Sequence, residues 1–176
     1  GLFRLEQYGV AISAAKDVLG LTEESGQIES AQKLIAHSAL EMKWYALAES
    51  TFRDLLQVSA DQETVQQLLS AVFKQGEEAE QDGEFLLAIE HYDRLYDIDP
   101  ESTLARDAYF DGVSLFERLE DYEQAIIRME NYRARYSENS GDETSISVRL
   151  AALYEGQGYV RKAALELASL SEFAPI

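Results

Sequence analysis

The 176-residue sequence predicts an all-α fold, a solenoid of about nine antiparallel helices, and three observations predict it. Helix formers such as Ala, Leu, Glu and Gln are abundant, and only two Pro and ten Gly interrupt them. An apolar stripe with helical spacing recurs along the chain. Each recurrence is centred on a small residue, and these alanines (Ala11, Ala48, Ala88, Ala125 and Ala163) lie 37, 40, 37 and 38 residues apart. No strand pattern or domain boundary is present, so residues 1–176 read as one helical repeat domain.

The stripe justifies the elements one by one. Three residues before each alanine stand Tyr8, Tyr45, Phe85, Tyr122 and Val160; four after stand Ala15, Phe52, Tyr92, Met129 and Leu167. Seven after stand Val18, Leu55, Leu95, Tyr132 and Leu170. These offsets share one face of a 3.6-residue helix. A helix that approaches its neighbour closely needs a small side chain at the crossing and larger apolar ones around it. Twelve residues before the later alanines lie Ala36, Gly76, Val113 and Ala151, small or slim residues on a preceding helix. Two helices meeting at small residues make a hairpin, and hairpins stacked in series bury a continuous core.

The expected helices span 2–19, 27–41, 43–58, 62–81, 85–97, 101–118, 122–136, 142–156 and 159–172. Asp61, Ser102 and Asp142 or Thr144 are expected N-caps, and Gly83 and Gly158 expected tight turns. The polar stretches 59–63 and 137–144 are candidate turns between hairpins. The first segment reads as the second helix of an incomplete hairpin, and the last ends without a polar capping helix. An excised part of a longer array is the expectation, with self-association through uncapped ends.

On these residues the chain resembles the tetratricopeptide repeat (TPR) family. The family carries a small residue on the first helix, Ala twelve residues on, a bulky residue four beyond and Pro eight beyond that. Gly76, Ala88, Tyr92 and Pro100 match all four, and Ala151, Ala163, Leu167 and Pro175 match again. The resemblance implies a right-handed α-α superhelix with repeats at about 1–24 (partial), 27–60, 62–100, 101–138 and 142–176. The family period is about 34 residues, so each repeat here carries extra residues in a helix or a turn. Extended repeats with closing turns such as Tyr136–Ser140 resemble those of bacterial cell-envelope TPR proteins, which implies an envelope or periplasmic location.

Charge and composition narrow the function. Fifteen basic against 33 acidic residues give a net charge of −18, which repels a nucleic acid strand. No apolar run is long enough to cross a bilayer. The chain has no Cys, hence no thiol chemistry or Cys-ligated zinc. His37 and His91 lie in no metal motif, and His37 with Glu41 supplies only two ligands. Asp97-Ile98-Asp99-Pro100-Glu101 lacks the Gly and the closing Glu of a calcium loop. Gly156-Gln157-Gly158 follows no strand, which argues against a phosphate cradle there. The expectation is no enzyme and no cofactor.

What the resemblance implies instead is a concave binding face on the first helix of each hairpin. The matching positions are Ser30, Lys33, His37 and Leu40; Ser70, Phe73, Glu77 and Glu80; Asp107, Phe110, Ser114 and Glu117; and Ser145, Val148, Ala152 and Glu155. The family's basic clamp for a carboxylate is not reproduced, since only Lys33 is basic. Phe73 and Phe110, each flanked by Glu77, Glu80 or Glu117, instead suit a peptide or helix with Arg or Lys beside apolar residues. The candidate partner-binding residues are Lys33, His37, Phe73, Glu77, Glu80, Asp107, Phe110, Ser114, Glu117 and Glu155. A protein-interaction scaffold is the leading expectation. A structural module that self-associates or spaces domains in a larger protein is the alternative.

Overall fold

The computed structural model describes residues 2–58, 61–140 and 143–171, with side chains placed for 5–58, 61–136 and 143–170. Among the described residues the secondary structure is nine α-helices and no strand. They are α1 (Leu2–Leu21), α2 (Ser25–Glu41), α3 (Tyr45–Val58), α4 (Gln62–Gln81) and α5 (Phe85–Ile98), then α6 (Thr103–Arg118), α7 (Tyr122–Ser140), α8 (Glu143–Gly156) and α9 (Val160–Ser171). Each helix packs on its neighbours in the chain, and α4 also touches α6. Nearest-neighbour packing of this kind is what a repeat solenoid requires.

Four three-residue turns join α2 to α3, α4 to α5, α6 to α7 and α8 to α9, and all four are built alike. The middle residue is left-handed: Lys43 (φ 60°), Gly83 (φ 80°), Glu120 (φ 59°) and Gly158 (φ 77°). The next amide reaches five residues back, from Trp44 to the Ala39 carbonyl, Glu84 to Ala79, Asp121 to Phe116 and Tyr159 to Tyr154, at 2.8–2.9 Å. This Schellman closure satisfies carbonyls that a helix end leaves orphaned. Sequence reasoning finds Gly83 and Gly158 but misses Lys43 and Glu120, because neither side chain advertises a positive φ.

The small-residue crossings lie in the core. Ala48, Ala88 and Ala125 are fully shielded and Ala163 nearly so, as are Ala36, Val113 and Ala151. Gly76 is the tightest crossing: a Cβ built there would stand 2.3 Å from Cε1 of Tyr92. Gly112 admits another occupant. A Cβ there would stand 2.3 Å from Nε of Arg128, whose buried guanidinium donates to the Tyr109 carbonyl at 2.8 Å and pairs with Asp93 at 2.8 Å.

Several expectations need correction. In the first copy Ile12 and Ala15 are buried, whereas Ala11 is half-buried and Val18 exposed. The buried face of α1 is therefore turned one residue from the expected one. In the last copy only Ala163 is buried, while Val160 and Leu167 are 68% and 51% exposed, because no described helix packs on that side of α9. Tyr122 is exposed at the hairpin edge instead of in the core. The helix α7 runs on to Ser140, so Tyr136–Ser140 forms no turn; no Gly or Pro precedes Gly141 to stop it. Added residues thus lengthen helices, as in the 20-residue α4 and 19-residue α7. Asp61 caps α4, accepting from the Thr64 amide at 2.8 Å, but Ser102 stands at the N-cap of α6 without a side-chain cap bond. Thr144 lies inside α8 and caps nothing, and Asp142 and Pro175 fall outside the described residues.

Candidate functional site

The anticipated face is carried by α2, α4, α6 and α8, the first helices of the four hairpins. Its two phenylalanines are half-buried, each resting on an aromatic ring of the following helix. Phe73 stacks on Tyr92 with centroids 5.5 Å apart and planes at 26°, and Phe110 meets Tyr132 edge-on at 5.2 Å. Each thus belongs partly to the core and presents only an edge to solvent. Beside Phe110 a cavity of about 360 Å³ opens between α6, α7 and α8, with Asp107, Asp111, Ser145 and the buried Ile146 on its walls.

Glu77, Glu80 and Glu117 of this face already have basic partners. Glu77 pairs with Lys74 on its own helix. Glu80 accepts from Arg118 of α6 at 2.7 Å and from the Tyr92 hydroxyl at 3.2 Å, while Arg118 also lies over the Phe85 ring at 4.1 Å. Glu117 pairs with Arg149 of α8, which also donates to Ser114 at 3.2 Å. Glu80–Arg118 and Glu117–Arg149 therefore fasten one hairpin to the next. Lys33 is engaged by Glu29 within α2, and His37 lies edge-on to Phe52 at 5.9 Å. Glu155 is exposed on α8, away from the Phe110 cavity.

The unbalanced charge in this region is Asp111, which sequence reasoning passes over. Asp111 is exposed, yet desolvation by its neighbours, then the nearby charges of Glu80 and Asp107, push its carboxyl above the usual aspartate range. Among the described residues no cation pairs with it. Asp107 pairs with Arg106 at 3.3 Å. Spacing places Asp111 one residue after Phe110, so its proximity was readable, but its electrostatic crowding depends on Glu80 from another hairpin. Structure brings Phe110, Asp107 and Asp111 to one cavity and leaves Lys33, His37 and Glu155 apart from it.

A second set of polar contacts, also unseen in the sequence, joins neighbouring helices. Glu49 on α3 is buried and accepts from Arg53 at 3.0 Å, from Gln75 of α4 at 2.7 Å and from Arg94 of α5. Burial pushes its carboxyl up, but the Gln75 and Arg53 hydrogen bonds and the Arg94 charge hold it below the usual glutamate range. Arg133 of α7 pairs with Glu166 of α9 at 2.7 Å. Among the described residues no group of three His, Asp or Glu could hold a metal ion, and no helix is long and apolar enough to cross a membrane.

No family model and no curated protein sequence matches the chain. Its architecture is similar to that of several solved structures. One is a kinesin light chain with TPR-like repeats from Podosopora anserina, 11% identical, covering 96% of this chain and 86% of that one with a TM-score of 0.47. MamA from AMB-1 is 14% identical, covering 100% and 96% at a TM-score of 0.44. A thermophilic TPR protein of Thermus thermophilus is 17% identical, covering 99% and 87% at a TM-score of 0.42. Four hairpin turns built alike and small residues at the helix crossings make this chain an all-α helical repeat, the fold that the tetratricopeptide resemblance implies.

Proposed function

We propose that the chain is a protein-interaction scaffold that seats a peptide or helix of a partner against its inner face, with the Phe110 cavity as the anchor point. The observation that carries this reading is the pairing of a half-exposed aromatic ring with an unpaired carboxylate, Phe110 with Asp111, around about 360 Å³ of open volume. A lysine or arginine entering there gains a ring edge and apolar wall for its stem and relieves the crowding of Asp107, Asp111 and Glu80. Glu77, Glu80 and Glu117, already matched by basic side chains, act mainly to hold the face in shape. A rigid, pre-formed surface loses little entropy on association.

The test uses synthetic peptides bearing Arg or Lys flanked by Leu or Phe, with Glu-substituted peptides as controls, followed by calorimetry at two salt concentrations. Basic peptides should bind, more weakly at high salt, and a folded Phe73→Ala/Phe110→Ala variant should lose at least about ten-fold in affinity. Equal binding by that variant would remove the site.

Assembly is the second reading, and exposed apolar surface favours it. Val160, Leu165 and Leu167 are exposed on α9, and Val18 and Leu34 border an apolar groove of about 420 Å³ between α1 and α2. A concentration-dependent sedimentation coefficient supports this reading; a constant one at high concentration argues against it.

A further inference from the structure

We propose that a cavity at the start of α6, on a different side-chain cluster from the Phe110 site, binds a phosphate dianion, free or carried by a phosphorylated side chain. The cavity encloses about 210 Å³ where the α5–α6 connection meets α7. Two guanidinium groups border it, those of Arg106 and Arg135. Arg135 lies over the rings of Tyr96 at 4.5 Å and Tyr109 at 4.9 Å and, among the described residues, pairs with no carboxylate. Stacking of that kind fixes the plane of the guanidinium while leaving its N–H edge available. Arg106 spends its Nε on Asp107 at 3.3 Å, which leaves its terminal nitrogens.

The floor of the cavity is short of acceptors. Ser102 and Thr103 line it at the N-terminus of the 16-residue α6, and Ser102 makes no cap bond to the helix. The first amides of a helix have no partner within it and carry the positive end of its dipole. Independently, Tyr136 lines the same cavity, is only 7% exposed, and its hydroxyl has no hydrogen-bond partner among the described residues. A buried polar group without a partner is uncommon and calls for a missing acceptor. Burial also pushes this phenol above its ordinary range, so at neutral pH it is a donor.

Donors therefore converge from two guanidinium groups, a helix start, two aliphatic hydroxyls and a phenol. A tetrahedral dianion has enough oxygens to accept from several of them, whereas a carboxylate offers two. The one opposing charge on the wall is Glu101, an exposed side chain that can turn to solvent. Phosphate could come from a phosphorylated side chain of a partner or from the free ion.

Amide NMR titration at constant ionic strength distinguishes the cases, with inorganic phosphate, a phosphoserine peptide and acetate as probes. Phosphate should move the Thr103, Leu104 and Ala105 amides saturably, and acetate should need about ten times the concentration. Arg106→Gln should weaken binding about ten-fold, the loss expected for one charged hydrogen-bonding partner, and Glu101→Gln should tighten it. If Arg135→Gln disturbs the fold through its ring contacts, Arg106→Gln combined with Ser102→Ala makes the same test. A phosphoserine peptide binding ten-fold tighter than the free ion assigns the site to a phosphorylated partner; equal binding assigns it to free phosphate. Shifts that do not saturate, that survive Arg106→Gln, or that acetate produces equally overturn the proposal.

Discussion

At Gly76 one missing methyl group decides how closely two helices meet. Tyr92 fills the space, stacks on Phe73 and donates to Glu80, so the ring has little room to retreat. Gly76→Ala should gain some helix propensity and still lose about 1–3 kcal/mol of stability by overpacking. Urea unfolding monitored by circular dichroism measures it, and the loss should shrink in a Tyr92→Leu background. Asp111 offers an electrostatic counterpart. Its folded carboxyl holds a proton more tightly than an ordinary aspartate, so ionisation weakens the folded state as pH rises past the usual aspartate range. Asp111→Asn should therefore raise the urea midpoint at neutral pH, lose that advantage in acid, and weaken basic-peptide binding. Glu49 has the opposite sign. Its depressed carboxyl contributes stability above the usual glutamate range that is lost as pH falls through the folded value, and Glu49→Gln should flatten this acid limb.

At the scale of the element, the four turns share one geometry but not one residue type. Left-handed backbone costs a non-glycine residue about 1 kcal/mol or more, and Lys43 and Glu120 bear that cost while Gly83 and Gly158 do not. Lys43→Gly and Glu120→Gly should each stabilise by up to about 1 kcal/mol, and Gly83→Ala should destabilise by about as much. Chemical unfolding of the three variants checks both signs. These turns also show what a single sequence discloses. Ala48, Ala88 and Ala125 could be picked out because close helix packing is the main constraint that keeps residues small at a fixed spacing. The α1 register could not, since Gly9, Ala11, Ala14 and Ala15 offer several equally small crossings. Phe73 and Phe110 were visible as aromatics recurring 37 residues apart on the first helices of two hairpins. The partners that neutralise Glu80 and Glu117 were not, because Arg118 and Arg149 lie one hairpin away and no local rule links them. Arg128 in the Gly112 notch was hidden for the same reason: a buried guanidinium needs a carbonyl and a carboxylate from two other helices.

At the scale of the whole molecule, contacts among the described residues run mainly between consecutive helices, with ion pairs reaching the next helix but one, so stability is distributed along the array. Among the described residues α9 packs on α8 and pairs with Arg133 of α7, leaving Val160, Leu165 and Leu167 exposed. Its amides should exchange with solvent faster than those of α4 and α5, which are covered on both sides; mass-spectrometric hydrogen exchange reads the difference. The paired carboxylates that cross between hairpins are largely solvent-accessible, so each contributes little alone.

The nesting of hairpins through alanine-sized crossings is tested most directly by enlarging those alanines. Ala48→Leu, Ala88→Leu and Ala125→Leu should each lose about 1–3 kcal/mol in urea unfolding. Ala46→Leu and Ala134→Leu, on exposed positions of α3 and α7, should change by no more than about 0.5 kcal/mol. Equal tolerance at the buried and exposed positions would contradict the account.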